Sequence, residues 1–332
     1  MLVLGIETSC DETAVSVVGN GEKIYSSVVS SSINFHKRYK GIVPEIASRL
    51  HIETISAVLS DALAQAGLGL KRIGLIAVTS KPGLPGSLLV GLCFARALSF
   101  AKGIPLLPVD HLKAHLYAAF FSRPRPRFPF IGLVVSGGHT SLFYVKKFSQ
   151  IKLLGSTQDD ACGEAFDKVS SMLGLGYPGG PAIEEMAKNG EAKVFSFNCS
   201  NTQEPLNFSF SGIKTALLYK TREEKIGAKK NRGAKIRQKI KVSNLCASFQ
   251  EAVINALVKK SLLACRLKKT PRLVIGGGVA ANDRLRERFF SEARLNGIDI
   301  YFSRKEFCTD NAAMVAGMGY SLYKNSHKQQ PL

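Results

Sequence analysis

Acid is scarce in this chain: 25 Asp and Glu stand against 45 Lys and Arg, a formal charge of +20 with a pI near 9.7. That balance points to a polyanionic partner, nucleic acid before membrane, because no long basic amphipathic helix dominates. Long apolar runs are missing as well. The best candidate, Leu84 to Val109, is interrupted by Arg96 and Lys102 before it reaches the roughly 18 residues of a membrane span. Met1 to Ile6 is too short for a signal-peptide core and has no basic leader, so no export is expected and the location is taken as cytoplasmic. No C-x-x-C spacing occurs among the 7 cysteines, and an odd, scattered set reads as reduced thiols. What the chain has is length and apolar content. Its 332 residues exceed what one core usually organises, so two lobes are expected.

The central stretch is Pro108-Val109-Asp110-His111-Leu112-Lys113-Ala114-His115-Leu116, where an apolar strand pattern from Ile104 hands over to a helix. Imidazoles four residues apart on a helix share a face and can hold one divalent ion, although such pairs also arise by chance on solvated helices. Leu112 follows His111 where a zincin carries its Glu, so the metalloprotease template fails at its general base.

Three strands open the chain, Leu2 to Ile6, Ala14 to Val18 and Lys23 to Ser30, with Asn20-Gly21 as a type I′ hairpin dipeptide. A helix from Pro44 to Gly67, a strand at Leu75 to Thr79, a helix at Gly86 to Ala101 and a strand at Ile104 to Val109 lead to the paired His. Arg123-Pro124-Arg125-Pro126-Arg127 is a stiff basic connector that marks the midpoint. The same order then returns: strands at Ile131 to Val135, Ser141 to Val145 and Lys152 to Gly155, helices from Cys162, strands at Leu273 to Ile275 and Ile298 to Phe302, and a last helix from about Asp310. That recurrence points to an internal duplication. Polar turns at Glu7 to Thr13, Ser136 to Thr140 and Gly276 to Gly278 each follow an apolar strand, where backbone N–H groups can meet phosphate oxygens. Tyr219 to Val242 carries ten Lys or Arg against two Glu and reads as a mobile basic segment, solvated or in contact with a phosphate backbone.

Several motifs together resemble the bacterial tRNA N6-adenosine threonylcarbamoyltransferases, the TsaD family once called O-sialoglycoprotein endopeptidases. They are Leu4 to Thr13 (LGIETSCDET), Ile42 to His51 (IVPEIASRLH), Pro82 to Gly91, the His111 and His115 pair, Val135 to Thr140 (VSGGHT), Asp160 to Lys168, Tyr177 to Pro181, Gly277 to Asn282 and Cys308 to Ala313. The resemblance implies an α/β, duplicated RNase H-like two-lobe fold of the actin-like ATPase (ASKHA) superfamily, with the active site in the interlobe cleft. Residues 1–127 would form the first lobe, completed by a C-terminal helix at 310–325; residues 128–309 would form the second, with a helical insertion at about 160–245.

It implies further that His111, His115 and Asp310 hold one divalent ion, Fe(2+) in first place and Zn(2+) as the alternative. Val135, Ser136, Gly137, Gly138, His139, Asp167, Gly180 and Asn282 would bind threonylcarbamoyl-AMP. The implied reaction moves the threonylcarbamoyl group to N6 of the adenosine beside the anticodon, in tRNAs reading codons that begin with adenine. Asp11 or Glu12 is then a candidate for taking the amine proton, or else orients the turn. TsaB, a paralogue, and TsaE, an ATPase, are the implied protein partners, with no membrane. Three positions depart from the family pattern: Lys40 and Lys81 stand where Gly is usual, and Asp110 where Asn is common. A small-metabolite phosphotransferase of the same superfamily is a rival that leaves the paired His and the excess charge without a role; a noncatalytic paralogue would lack the His pair, and the peptidase label lacks its Glu.

Overall fold

The computed structural model describes residues 1–39, 41–199, 202–230 and 242–327. The opening hairpin forms as its sequence directs. Strands β1 (Leu2–Glu7), β2 (Glu12–Gly19) and β3 (Lys23–Ser31) are antiparallel, and φ is positive at both Asn20 and Gly21, as a type I′ turn requires. A short helix α1 (Ile33–His36) follows. Helix α2 (Pro44–Ala66) has Pro at its start and ends on Gly67 with positive φ, the usual asymmetry of proline and glycine at helix ends. Strand β4 (Ile73–Lys81), helix α3 (Pro85–Lys102) and strand β5 (Leu106–Asp110) complete a sheet of order β3-β2-β1-β4-β5. Helix α4 (His111–Tyr117) then leaves its edge.

The second sheet repeats the first. Strands β6 (Phe130–Val135), β7 (Thr140–Lys147) and β8 (Gln150–Ser156) are antiparallel, and β9 (Arg272–Gly276) and β10 (Asp299–Phe302) add in parallel, giving the order β10-β9-β6-β7-β8. Strand for strand this matches the first sheet, so the duplication read from the order of elements is present in the topology. Between β8 and β9 lie helices α5 (Cys162–Leu173), α6 (Gly179–Ala187), α7 (Ser211–Lys230) and α8 (Val242–Leu267). Helix α9 (Asp283–Leu295) joins β9 to β10, and α10 (Ala312–His327) closes the chain. The mobile segment expected at Tyr219 to Val242 is helical through Lys230; buried Ile213 and Leu217 anchor α7, and its Lys, Arg, Glu and Ala residues favour helix. Residues 231–241 lie outside the described residues.

Alternation along the strands sorts the core into layers. Leu4, Ile6, Val15 and Val17 face outward under α2, packing on Ile55, Val58 and Leu59. Val3, Val18, Leu75 and Ala77 face inward and share a cluster with Leu116, Ala313, Met314, Val315 and, from the second sheet, Phe130, Val134 and Val274. The outer face of the second sheet, Ile131, Leu133, Leu273 and Ile275, packs on Phe166, Phe249, Val253 and Leu257. Helices α4 and α10 are therefore the filling between two sheets. Gly5 lets α10 come this close: a Cβ there would sit 2.1 Å from the Ala312 carbonyl oxygen and 2.9 Å from the Ala316 nitrogen. Neither backbone atom can step aside. Gly5→Ala is expected to cost about 1–3 kcal/mol by overpacking, read as a lower melting midpoint with α10 as the first segment to lose amide protection on hydrogen exchange.

Candidate metal and acyl-transfer site

Strand β5 delivers the paired His. Asp110 caps α4, its Oδ1 accepting the Lys113 N–H at 3.1 Å, so Asp in place of the family's Asn keeps the capping function. His111 and His115 follow on the buried face of that helix. Asp310 approaches from the other end of the chain. Directly after it, Asn311 Oδ1 accepts the Met314 N–H at 3.0 Å and opens α10, which fixes where the preceding carboxylate points. The three side chains converge: His115 Nε2 lies 3.2 Å from His111 Nε2 and 3.1 Å from Asp310 Oδ1, and His111 Nε2 lies 3.5 Å from that oxygen. All three potential donor atoms fall within 4.8 Å of one another.

The outer side of His111 is held by a residue absent from the expected site. Glu7, fully buried at the end of β1, accepts from His111 Nδ1 at 3.0 Å, from Thr79 Oγ1 at 2.5 Å and from the Ser9 N–H at 2.6 Å. With Nδ1–H committed to Glu7, Nε2 is the nitrogen left for a cation, the arrangement in which a carboxylate orients a metal-binding imidazole. Burial opposes charge on His111, but Asp310 and Glu7 outweigh it and raise its pKa to about 9. Burial lowers His115, which stays neutral. Asp310 is held down at about 2, burial being overcome by His111 and His115, and His111 likewise holds Glu7 low against its burial. Nδ1 of His115 is buried without a hydrogen-bond partner among the described residues, so the cluster itself is what orients that ring. Two facing imidazole nitrogens and a carboxylate, with a second carboxylate behind, are a donor set that fits a divalent ion.

The acidic turn lies alongside. His36 Nδ1 accepts the Val43 N–H at 3.3 Å, its Nε2 is 3.0 Å from Ser32 Oγ, and Ser32 Oγ donates to the Asp11 carbonyl at 2.7 Å. His51 Nε2 donates to the Cys10 carbonyl at 3.0 Å while Nδ1 meets Thr13 Oγ1 at 2.7 Å. Two buried imidazoles thus clamp the turn that presents Asp11 and Glu12. Burial, together with the charges of Asp11 and Asp310, pushes the Glu12 carboxyl up to about 10, and Ser31 Oγ donates to it at 3.2 Å.

From the second sheet, Val135 pairs with Thr140 and the Ser136–His139 turn closes through the Ser136 N–H to His139 carbonyl bond at 2.8 Å. His139 lies within electrostatic reach of His111, His115 and Asp310; burial, then those two imidazoles, lower its pKa. A Cβ at Gly137, Gly138 or Gly180 would meet no heavy atom within 4 Å, so these backbones border open space. Asp167 accepts the Gly179 N–H at 2.6 Å and fastens the start of α6; burial raises its carboxyl to about 6. Asn282 Oδ1 accepts the Leu285 N–H and Nδ2 donates to Gln250 Oε1, both at 2.8 Å, so its side chain is held at the start of α9. Lys81 is exposed and leaves the adjoining turn intact, whereas Lys40 lies outside the described residues.

A family model described as "TsaD: tRNA N6-adenosine threonylcarbamoyltransferase" matches residues 23–317. A protein of that name from Thermodesulfovibrio yellowstonii is 50% identical over 97% of this chain and 95% of its own length. Another, from Syntrophus aciditrophicus, is 46% identical over 99% of this chain and 95% of its own. Among solved structures, full-length HypF in a phosphate- and nucleotide-bound form superposes with a TM-score of 0.64 at 13% identity, over 97% of this chain and 55% of HypF. A dehydratase activator from Clostridium difficile with bound ADPNP gives 0.53 at 14% identity over 100% of this chain and 99% of its own. These two share the fold. Sequence, topology and the His-His-Asp group agree, and the chain belongs to the TsaD family of tRNA N6-adenosine threonylcarbamoyltransferases.

Proposed function

We propose that this chain transfers the threonylcarbamoyl group from threonylcarbamoyl-AMP to N6 of the adenosine beside the anticodon, in tRNAs reading codons that begin with adenine, and that it does so at the site just described. The observation that carries this is the convergence of His111, His115 and Asp310 beside the open Gly137-Gly138 turn. In this reading the lobes are residues 1–127 with 310–325, and 128–309 with the helices of about 160–245. The compartment is the cytoplasm; among the described residues no helix is long and apolar enough to cross a membrane.

His111, His115 and Asp310 would hold a divalent ion, iron first and zinc as the alternative, which would supply Lewis-acid stabilisation of the charge that develops in the transfer. The protein's own groups do the rest. The backbone of Val135 to His139 and the α6 start at Gly180 receive the nucleotide; Asp167 orients it, and Asn282 supports the turn through its cap. An aryl amine is a poor nucleophile, so positioning it against the carbonyl carbon is the main gain. As the N6–C bond forms and the C–O bond to phosphate breaks, AMP departs and the amine proton goes to a base. Glu12 holds its own proton at neutral pH, which leaves Asp11 as that base and Glu12 as a donor that steadies it. TsaB and TsaE are the proposed partners. A surface for a paralogous chain is the outer stripe of α3, Leu89, Cys93, Ala97 and Phe100, at helical spacing, with Phe100 93% exposed.

Unmodified tRNA incubated with the chain, its partners and threonylcarbamoyl-AMP should yield threonylcarbamoyladenosine by nucleoside mass spectrometry. His111→Ala is expected to abolish it. Asp11→Asn should slow transfer by about 10²–10⁴-fold with adenylate affinity and metal content unchanged; full activity in that variant would remove Asp11 from the mechanism.

The charge state of His111 gives a second test. A group with a raised pKa is protonated below it, so an ion must displace that proton at neutral pH. Affinity for Zn(2+) or Fe(2+) is therefore expected to rise about tenfold per pH unit up to about pH 9. Calorimetry in buffers of different ionisation enthalpy should show close to one proton released per ion. Glu7→Gln should weaken the ion by about 10–100-fold and release fewer protons, because the carboxylate that raises His111 is gone; a pH-independent affinity would contradict the assignment.

A further inference from the structure

At the opposite end of the second sheet's strands from the site lies a cavity of about 690 Å³ walled by Arg123, Arg125, Arg127, Arg272, Asp299 and Tyr301. Resting on the transferase reading above, we propose that this cavity grips the phosphate backbone of the tRNA away from the reacting adenosine.

The cavity is built, not incidental. Pro124 and Pro126 fix φ between the three arginines of the connector, and Pro126 is buried. Arg272, the first residue of β9, donates through one Nη to the carbonyls of Phe128 and Pro129 at 3.1 and 3.0 Å, which straps the connector to the sheet. Arg125 Nε donates to the Phe120 carbonyl at 3.1 Å, and Phe128 packs among Phe120, Phe130 and Phe148. A strap held at both ends presents its guanidiniums with little ordering left to pay on binding. The acids nearby do not cancel them. Glu22 is shared by Arg123 and Arg125, and Asp299 stands on the wall as the other carboxylate, against four guanidiniums. Every cation lining the cavity is Arg and none is Lys. Solubility alone has no use for that choice, whereas phosphate oxygens reward the planar fork. Tyr301 adds a ring on which a base or ribose can stack.

Position favours RNA over a free nucleotide. Strands β6, β9 and β10 all run from the cavity toward the cleft, and five residues at about 3.3 Å each set the two about 17 Å apart. Strand β10 is the sheet edge, so one extended polyanion can lie along it with an adenosine in the cleft and phosphates in the cavity.

The test measures fluorescent unmodified tRNA binding to the full chain across a salt series, alongside transfer with the partner proteins. Arg123→Glu with Arg127→Glu, both exposed, is expected to weaken tRNA by at least about tenfold and to lower the slope of log Kd against log salt by about 2. Adenylate affinity and the rate at saturating tRNA should not change. Arg127→Gln alone, should the double variant fail to fold, is expected to lower the slope by about 1. Unchanged tRNA affinity and slope in either variant, with wild-type transfer intact, would overturn this proposal alone. Tripolyphosphate that fills the wild-type cavity without displacing tRNA would reassign it to free phosphates and also overturn it. No transfer by the wild-type chain would remove the reading on which it rests.

Discussion

The pairing of Glu7 with His111 inside the protein is what the rest depends on. A lone carboxylate in that position would be driven to take up a proton, and a lone imidazole would stay neutral. Together, with Asp310 opposite, they hold two negative charges and one positive in a largely buried space. The cluster is one positive charge short of balance when His111 carries its proton. Exchange of that proton for a divalent ion brings it to neutrality, which is a physical reason for the site to select a dication rather than simply tolerate one.

That chemistry needs ligands from places far apart in the chain, and the five-layer arrangement supplies them. His111 and His115 begin one of the two helices buried between the sheets, and Asp310 immediately precedes the other. Glu7 ends the central strand of the first sheet, and the Ser136–His139 turn follows the central strand of the second. A duplicated sheet thus brings two equivalent strand ends together, one furnishing the carboxylate that orients the metal ligand and the other an open backbone turn. At Gly276 the fit is tight, since a Cβ would sit 2.5 Å from the His115 carbonyl oxygen. Repacking there would move the ligand helix directly.

Much of this could be read from the sequence because its determinants are local. Asn20-Gly21, Pro44 with Gly67, and Asp110 as a cap each act within a few residues, and the strand order follows from the repeat of elements. Glu7 could not be assigned in the same way. Its partner lies 104 residues away, and only an acid closing an otherwise apolar strand, Leu2 to Ile6, marks it as unusual. His51 is hidden for a similar reason, since its contacts with Thr13 and Cys10 depend on how α2 lies across the hairpin, whereas His36 bonds Ser32 only four residues back, within a helix too short for its pattern to stand out. At α7 the helix reaches into the basic segment from anchors that precede it, Ile213 and Leu217, so its extent to Lys230 is set outside the run of charge.

The electrostatics also divide labour between regions. The chain as a whole carries +20, yet the site gathers Glu7, Asp11, Glu12, Asp167 and Asp310. An acidic cleft repels a polyanion, so attraction for tRNA has to originate elsewhere on the surface, while the cleft recognises one uncharged base and an activated acyl group. On the proposed reading, affinity for the nucleic acid and competence for the chemistry are carried by different residues, and each can change without dismantling the other.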